Sequence, residues 1–147
     1  MSTVSLTLDE IFDLAKKTLL ANGCDDETAI ILSELIKNAE RDGSLSHGLF
    51  RLPAYISGLK SGKINGKGKP EVKKISSSVI KVQGNNCLAP IVLSKSLPEL
   101  AIAAKENGVA VLAINNSHHM AAMWPETEKL AEDGLVAFAC TSYKPSV

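Results

Sequence analysis

The 147-residue sequence contains only three cysteines, Cys24, Cys87 and Cys140, and no C-x-x-C pair. An odd, widely spaced set argues against a disulfide framework and a structural zinc site, and leaves three small buried thiols as the expectation. Long apolar runs are also lacking. The longest stretches, such as Leu135 to Cys140, fall far short of the roughly 20 residues that span a bilayer, so no membrane segment is expected. Met1 to Asp9 carry no basic region followed by an apolar block, so a secretory leader is not expected and the chain reads as cytoplasmic. Charge of one sign is absent too, because 16 basic residues balance 16 acidic ones. No basic stripe interleaves with aromatics, which make up only 4% of the chain, so nucleic acid is not an expected partner. No G-x-G-x-x-G follows a predicted strand, and no G-x-x-x-x-G-K-[ST] occurs; the glycines from Gly62 to Gly68 have the wrong spacing.

What is present is a chain that is 45% hydrophobic, enough to bury a core. From Leu6 to Leu20, apolar residues recur at spacings of three and four, with Thr7 and Glu10 placed as a capping box and Gly23 beyond the end. A second amphipathic helix starts near Asp25 and Asp26 and stops at Gly43. Ser44 to Leu59 is a third helical candidate, in which Pro53 must fall in the first turn or make a kink. Asn65 to Pro70 is a loop. Val72 to Ile75 and Val79 to Val82 read as short strands, Pro90 to Glu106 as a helix, and Val109 to Ile114 as a buried strand. A helix over roughly Ala121 to Glu132 and a strand over Leu135 to Thr141 complete the pattern. The expected fold class is therefore mixed α/β: a helical N-terminal region (1–70), followed by a sheet with helices (71–147) that lacks the Rossmann fingerprint. The strand-helix rhythm breaks off at Lys144 to Val147, so the sheet is expected to be incomplete and the chain to be a fragment or to depend on another segment.

Two segments carry chemistry. The first, Arg41 to Arg51, places Ser46, His47 and Arg51 within six positions. If a helix begins at His47, Arg51 lies one turn further on the same face. A guanidinium holding a carboxylate beside an imidazole that delivers a proton would suit an acid substrate with an adjacent group to be protonated. Ser46 can orient the imidazole, but no acid nearby activates it as a nucleophile, so hydrolysis is the weaker reading. The plainer account makes His47 a helix cap and Arg51 a solvated charge. The second segment, Asn115 to Pro125, follows a predicted strand and opens a helix, a favoured place for a ligand phosphate. Small Ala121 and Ala122 would allow close approach. A metal-dependent hydrolase using His47, His118 and His119 fits less well, because no carboxylate sits at ligand spacing and adjacent histidines diverge, so no metal is expected. The plainer account here is a polar loop capping a helix.

The stretches R-D-G-S-L-S-H-G-L-F-R-L-P-A-Y (Arg41 to Tyr55) and S-H-H-M-A-A-M-W-P-E (Ser117 to Glu126) resemble the type 2 malate/L-lactate dehydrogenase family, also called sulfolactate dehydrogenase-like. The resemblance runs over essentially the whole chain. Ala121 stands where the malate and lactate branch more usually has glycine, and the second stretch looks most like the Δ1-piperideine-2-carboxylate/Δ1-pyrroline-2-carboxylate reductases. The resemblance implies hydride transfer from NADPH, or alternatively NADH, to a cyclic 2-imino acid. It implies Ser46 and His47 as catalytic relay members with His47 the proton donor, Arg51 on the substrate carboxylate, and His119, Met120, Ala121, Ala122 and Met123 along the cofactor. It also implies a homodimer when full length, and an acidic relay partner outside this chain. A 2-oxo acid substrate within the same fold is one alternative, and a noncatalytic fragment or interaction module is another.

Overall fold

A computed structural model of the chain describes residues 4–118 and 121–141. Helix α1 (Leu8–Ala21) starts at the expected capping box: the Thr7 hydroxyl accepts from the Glu10 amide at 3.2 Å, and the Glu10 carboxylate accepts from the Thr7 amide at 2.8 Å. Helix α2 (Asp26–Arg41) is capped by Asp25, whose carboxylate accepts from the Thr28 amide at 2.9 Å. The two helices bury Ile11, Ala15 and Leu19 against Ala29, Leu32 and Ile36, as their three-and-four spacing requires. Tyr55 from α3 (Leu52–Lys60), Ile64 and Leu88 close this first core.

Strand β1 (Glu71–Lys74) pairs antiparallel with β2 (Val79–Gln83), and β2 pairs parallel with β3 (Val111–Asn115). Parallel neighbours need a crossover, which α4 (Ala89–Asn107) supplies; it ends at Gly108 in the left-handed region (φ 78°). Ile80, Val82, Cys87, Val92 and Ala103 make a second core between sheet and helix. Cys87 belongs to this second core and its neighbour Leu88 to the first, so one peptide step joins the layers. Helix α5 (Trp124–Glu132) comes last, with Pro125 in its first turn, where a missing amide hydrogen leaves no bond unmade. No helix among the described residues is long and apolar enough to cross a membrane.

Four expectations are corrected. The run Val109 to Ile114 is not a buried strand: Val109 and Val111 are 69% and 55% exposed, because α4 covers one face of the sheet and β3 lies at its edge. Ser44 to Leu59 is not one helix; two 3₁₀ turns, Leu45–His47 and Leu49–Arg51, precede α3, and Pro53 falls in the first turn of α3. Leu135 to Thr141 forms no strand among the described residues. Its side chains alternate between half-buried and exposed, with Val136 and Phe138 turned outward, as a strand's would, but no ladder partner among the described residues meets its backbone. The last helix begins at Trp124 rather than Ala121.

Cys24 and Cys87 are buried, whereas Cys140 is exposed, against the expectation of three buried thiols. Burial, reinforced by the Asp25 charge, pushes the Cys24 thiol from 9.0 to about 11. Burial also pushes the Tyr55 hydroxyl from 10.0 to about 12, with Arg51 pulling the other way. Both groups are held neutral in the fold, so the unfolded chain gives up its protons first as pH rises. Stability should be fully present below about pH 9 and fall toward pH 11, by about 2 to 3 kcal/mol for Cys24. Urea melts across this range should show the decline, and Cys24→Ala should remove the part that begins near pH 9. In the native state at pH 8 a thiol reagent should modify Cys140 at once, and Cys24 and Cys87 only on unfolding.

Candidate active site

The first candidate segment is shaped by α2, not by a helix of its own. Past Arg41 the chain reverses through Asp42 and Gly43, and the Ser44 amide donates back to the Ala39 carbonyl at 2.8 Å. The next turn closes with the His47 amide on the Ser44 carbonyl (2.8 Å), and the following one with the Arg51 amide on the Gly48 carbonyl (3.0 Å). Between them Glu40 reaches up from α2: its Oε1 accepts from the Leu49 amide at 2.7 Å, one of the donors a turn leaves unmet at its start. A side chain on residue 48 would overlap Glu40 Oε1, Cδ and Cγ, so glycine is required for this close approach. His47 and Arg51 therefore sit on successive 3₁₀ turns and not on one face of an α-helix, which corrects the expected spacing.

Two hydroxyls address the same imidazole nitrogen. Ser46 Oγ lies 3.0 Å and Ser44 Oγ 3.3 Å from His47 Nδ1. On another side the indole of Trp124 meets the imidazole edge-on, with ring centroids 6.0 Å apart and planes at 76°. Four residues on, Arg51 is half-buried above buried Tyr55, and its Nε is buried without a hydrogen-bond partner among the described residues. A buried unmet guanidinium donor is costly unless an anion completes it. An imidazole oriented through Nδ1 is arranged to transfer a proton through its other nitrogen.

The second segment divides. His119 and Met120 lie outside the described residues. The His118 ring donates through Nε2 to the Lys63 carbonyl at 2.8 Å, and its main chain pairs with Cys87 and Ala89, so it braces the loop. Ala122 is buried, and Ala121 and Ala122 line a cleft of about 220 Å³ between α2 and α4, with Ile31, Leu35, Leu93 and Leu97. Met123 caps α5, and the next residue, Trp124, is the one that reaches His47. The structure thus joins Ser46, His47 and the start of α5, while Ala121 and Ala122 face the α2–α4 cleft. Among the described residues no group of three or more His, Cys, Asp and Glu side chains converges as a metal site would.

The sequence does not single out Ser44 or Glu40, and it does not foretell the contact of Trp124 with His47. Ser44 was findable, since it stands one turn before His47. Nothing local marks Glu40, whose partner is nine residues away, or Trp124, which meets His47 only through tertiary folding.

The fold and site define a mixed α/β chain whose helical layer presents a serine-braced histidine and a half-buried arginine. Residues 6–147 match the Malate/L-lactate dehydrogenase family, and the chain belongs to it. A Δ1-pyrroline-2-carboxylate/Δ1-piperideine-2-carboxylate reductase of Pseudomonas syringae pv. tomato is 39% identical over 137 residues, covering 93% of this chain and 40% of that protein. The crystal structure of the Δ1-piperideine-2-carboxylate reductase from the same organism superposes with a TM-score of 0.85 at 39% identity, covering 90% of this chain and 40% of that one. Malate dehydrogenase from Pyrococcus horikoshii superposes with a TM-score of 0.82 at 27% identity, covering 89% and 38%. The chain spans about 40% of the length of these relatives.

A methyl group at residue 48 would expel the Glu40 carboxylate and cost the Leu49 amide its charged acceptor. Gly48→Ala should therefore destabilise by roughly 1.5 to 3 kcal/mol, and Glu40→Ala by a similar amount. In a urea double-mutant cycle the second change should add little to the first; full additivity would show that the two residues act separately.

Proposed function

We propose that this chain carries the proton-donating and carboxylate-holding part of an NAD(P)H-dependent reductase of cyclic imine 2-carboxylates, Δ1-pyrroline-2-carboxylate or Δ1-piperideine-2-carboxylate, giving L-proline or L-pipecolate. The observation that carries the reading is the Ser46–His47 hydrogen bond, one 3₁₀ turn before an Arg51 whose buried Nε has no partner among the described residues. The names of the relatives supply the substrate class.

Ser46 holds the imidazole through Nδ1, and His47 delivers a proton to the imine nitrogen. Arg51 takes the substrate carboxylate in its planar fork, which satisfies the buried donor and fixes which ring carbon faces the reductant. His119, Met120, Ala121, Ala122 and Met123 are the proposed cofactor residues. Of those described, half-buried Met123 offers a thioether to the flat apolar face of a nicotinamide, and the small Ala121 and Ala122, on the α2–α4 cleft, leave room for close approach of the chain. When bound, that group supplies the hydride that no side chain can give. NADPH is the proposed form and NADH the alternative.

The reading also includes a cytoplasmic homodimer and division of the chain into regions 1–70 and 71–147. Leu45 and Phe50, 65% and 75% exposed on either side of His47, support a covering subunit, and the two apolar cores support the division. The malate dehydrogenase likeness favours a second reading, with an open 2-oxo acid reduced on the same groups.

The native polypeptide from its source should oxidise NADPH when given either cyclic imine acid, and more slowly with pyruvate or oxaloacetate. Preference for the open acids would transfer the proposal to the second reading. Oxidation with none of them would leave a noncatalytic module. His47→Ala should lower kcat by roughly 10² to 10⁴ while leaving cofactor binding intact. Arg51→Ala should raise KM by roughly tenfold or more, and the opposite pattern would show that the two roles are misassigned.

A further inference from the structure

We infer that Trp124 is a positioning residue for His47, setting the plane of the imidazole from which the proton leaves; this rests on the reductase reading above. The hydroxyls of Ser44 and Ser46 both address Nδ1, at 3.3 and 3.0 Å, and so restrain one end of the ring. Hydrogen bonds to Nδ1 constrain the position of that atom more than the tilt of the ring about it. The T-shaped contact with the indole, 6.0 Å between centroids at 76°, opposes that tilt, because an edge-to-face pair loses its favourable quadrupole alignment when either ring tilts.

Trp124 is well placed to hold still. It is the first residue of α5 and half-buried, and its carbonyl accepts from the Thr127 hydroxyl at 2.9 Å. Helix α5 is anchored by buried Leu130 and Glu126. The same residue directly follows Met123, the last of the proposed cofactor residues, so the side chain that fixes the proton donor is carried by the segment assigned to the hydride donor. Misplacement of a reacting group by about 1 Å can cost on the order of 10²-fold in rate, which sets the scale of what such a contact protects.

The test uses the chain labelled with ¹⁵N in its three histidines, His47 being assigned by the signals lost in His47→Gln. In the wild type, His47 ring protons should be shifted by the indole ring current and show cross-relaxation to indole protons. Trp124→Phe should keep a reduced shift and a single ring-nitrogen pattern, whereas Trp124→Leu should lose the shift and give an averaged pattern. In the active polypeptide, Trp124→Leu should lower kcat roughly tenfold or more with KM within about twofold, and Trp124→Phe should recover most of it. Identical His47 signals in wild type and Trp124→Leu would overturn the inference. If Trp124→Leu does not fold, the wild-type cross-relaxation decides: its presence supports the inference and its absence overturns it. A wild type showing the cross-relaxation but reducing none of the acids would remove the reductase reading and leave the positioning of His47 by Trp124 standing.

Discussion

The structure turns on a short set of main-chain bonds that tie the start of α4 to the segment after β3. The Gly84 amide donates to the Asn115 carbonyl and the Asn86 amide to that of Asn116, both at 2.8 Å. The His118 amide then donates to Cys87, and the Ala89 amide to His118, both at 2.9 Å. Gly84 is needed there, because a Cβ would stand 2.7 Å from both the Asn116 oxygen and Ser117 Cβ. On the other side the Asn65 amide donates to Asn86, and the His118 ring to Lys63. Sheet, crossover helix and the loop behind α3 are thus fastened at one place. Loosening it would free the second segment from the helical layer on which His47 sits.

From that fastening the site follows by reach. Helix α2 contributes nothing to the chemistry directly, yet its Glu40 holds the Leu49 amide and its last turn receives the Ser44 amide. A charge network runs along its other end, where Lys69 meets Asp25 and Glu27, and Lys95 of α4 meets Glu27. These pairs are largely exposed and worth little singly, but they join three separate parts of the chain. The irregular turns around His47 are therefore held from below by one helix and from the side by α5.

Much of this was readable from local pattern. The capping box at Thr7, the acidic start of α2 and the strand pair around residues 76–78 all appear where spacing and turn chemistry put them. The misjudged elements share a cause. Ser44 to Leu59 has a helical composition, but the Glu40 carboxylate, nine residues before Leu49, takes the Leu49 amide. Val109 to Ile114 is apolar throughout, yet burial depends on what lies against each face, and only one face is covered. Leu135 to Thr141 has the composition and alternation of a strand, but ladder bonds need a partner that periodicity does not supply.

By itself the sequence determined the amphipathic helices, the mixed α/β order and the identity of the residues carrying the family resemblance, because each depends on neighbours within a turn or two. Only the tertiary structure decided that Glu40 shapes the turn between His47 and Arg51 and that Trp124 meets His47. Those contacts depend on the distances between packed elements, which are set where whole faces of helix and sheet meet.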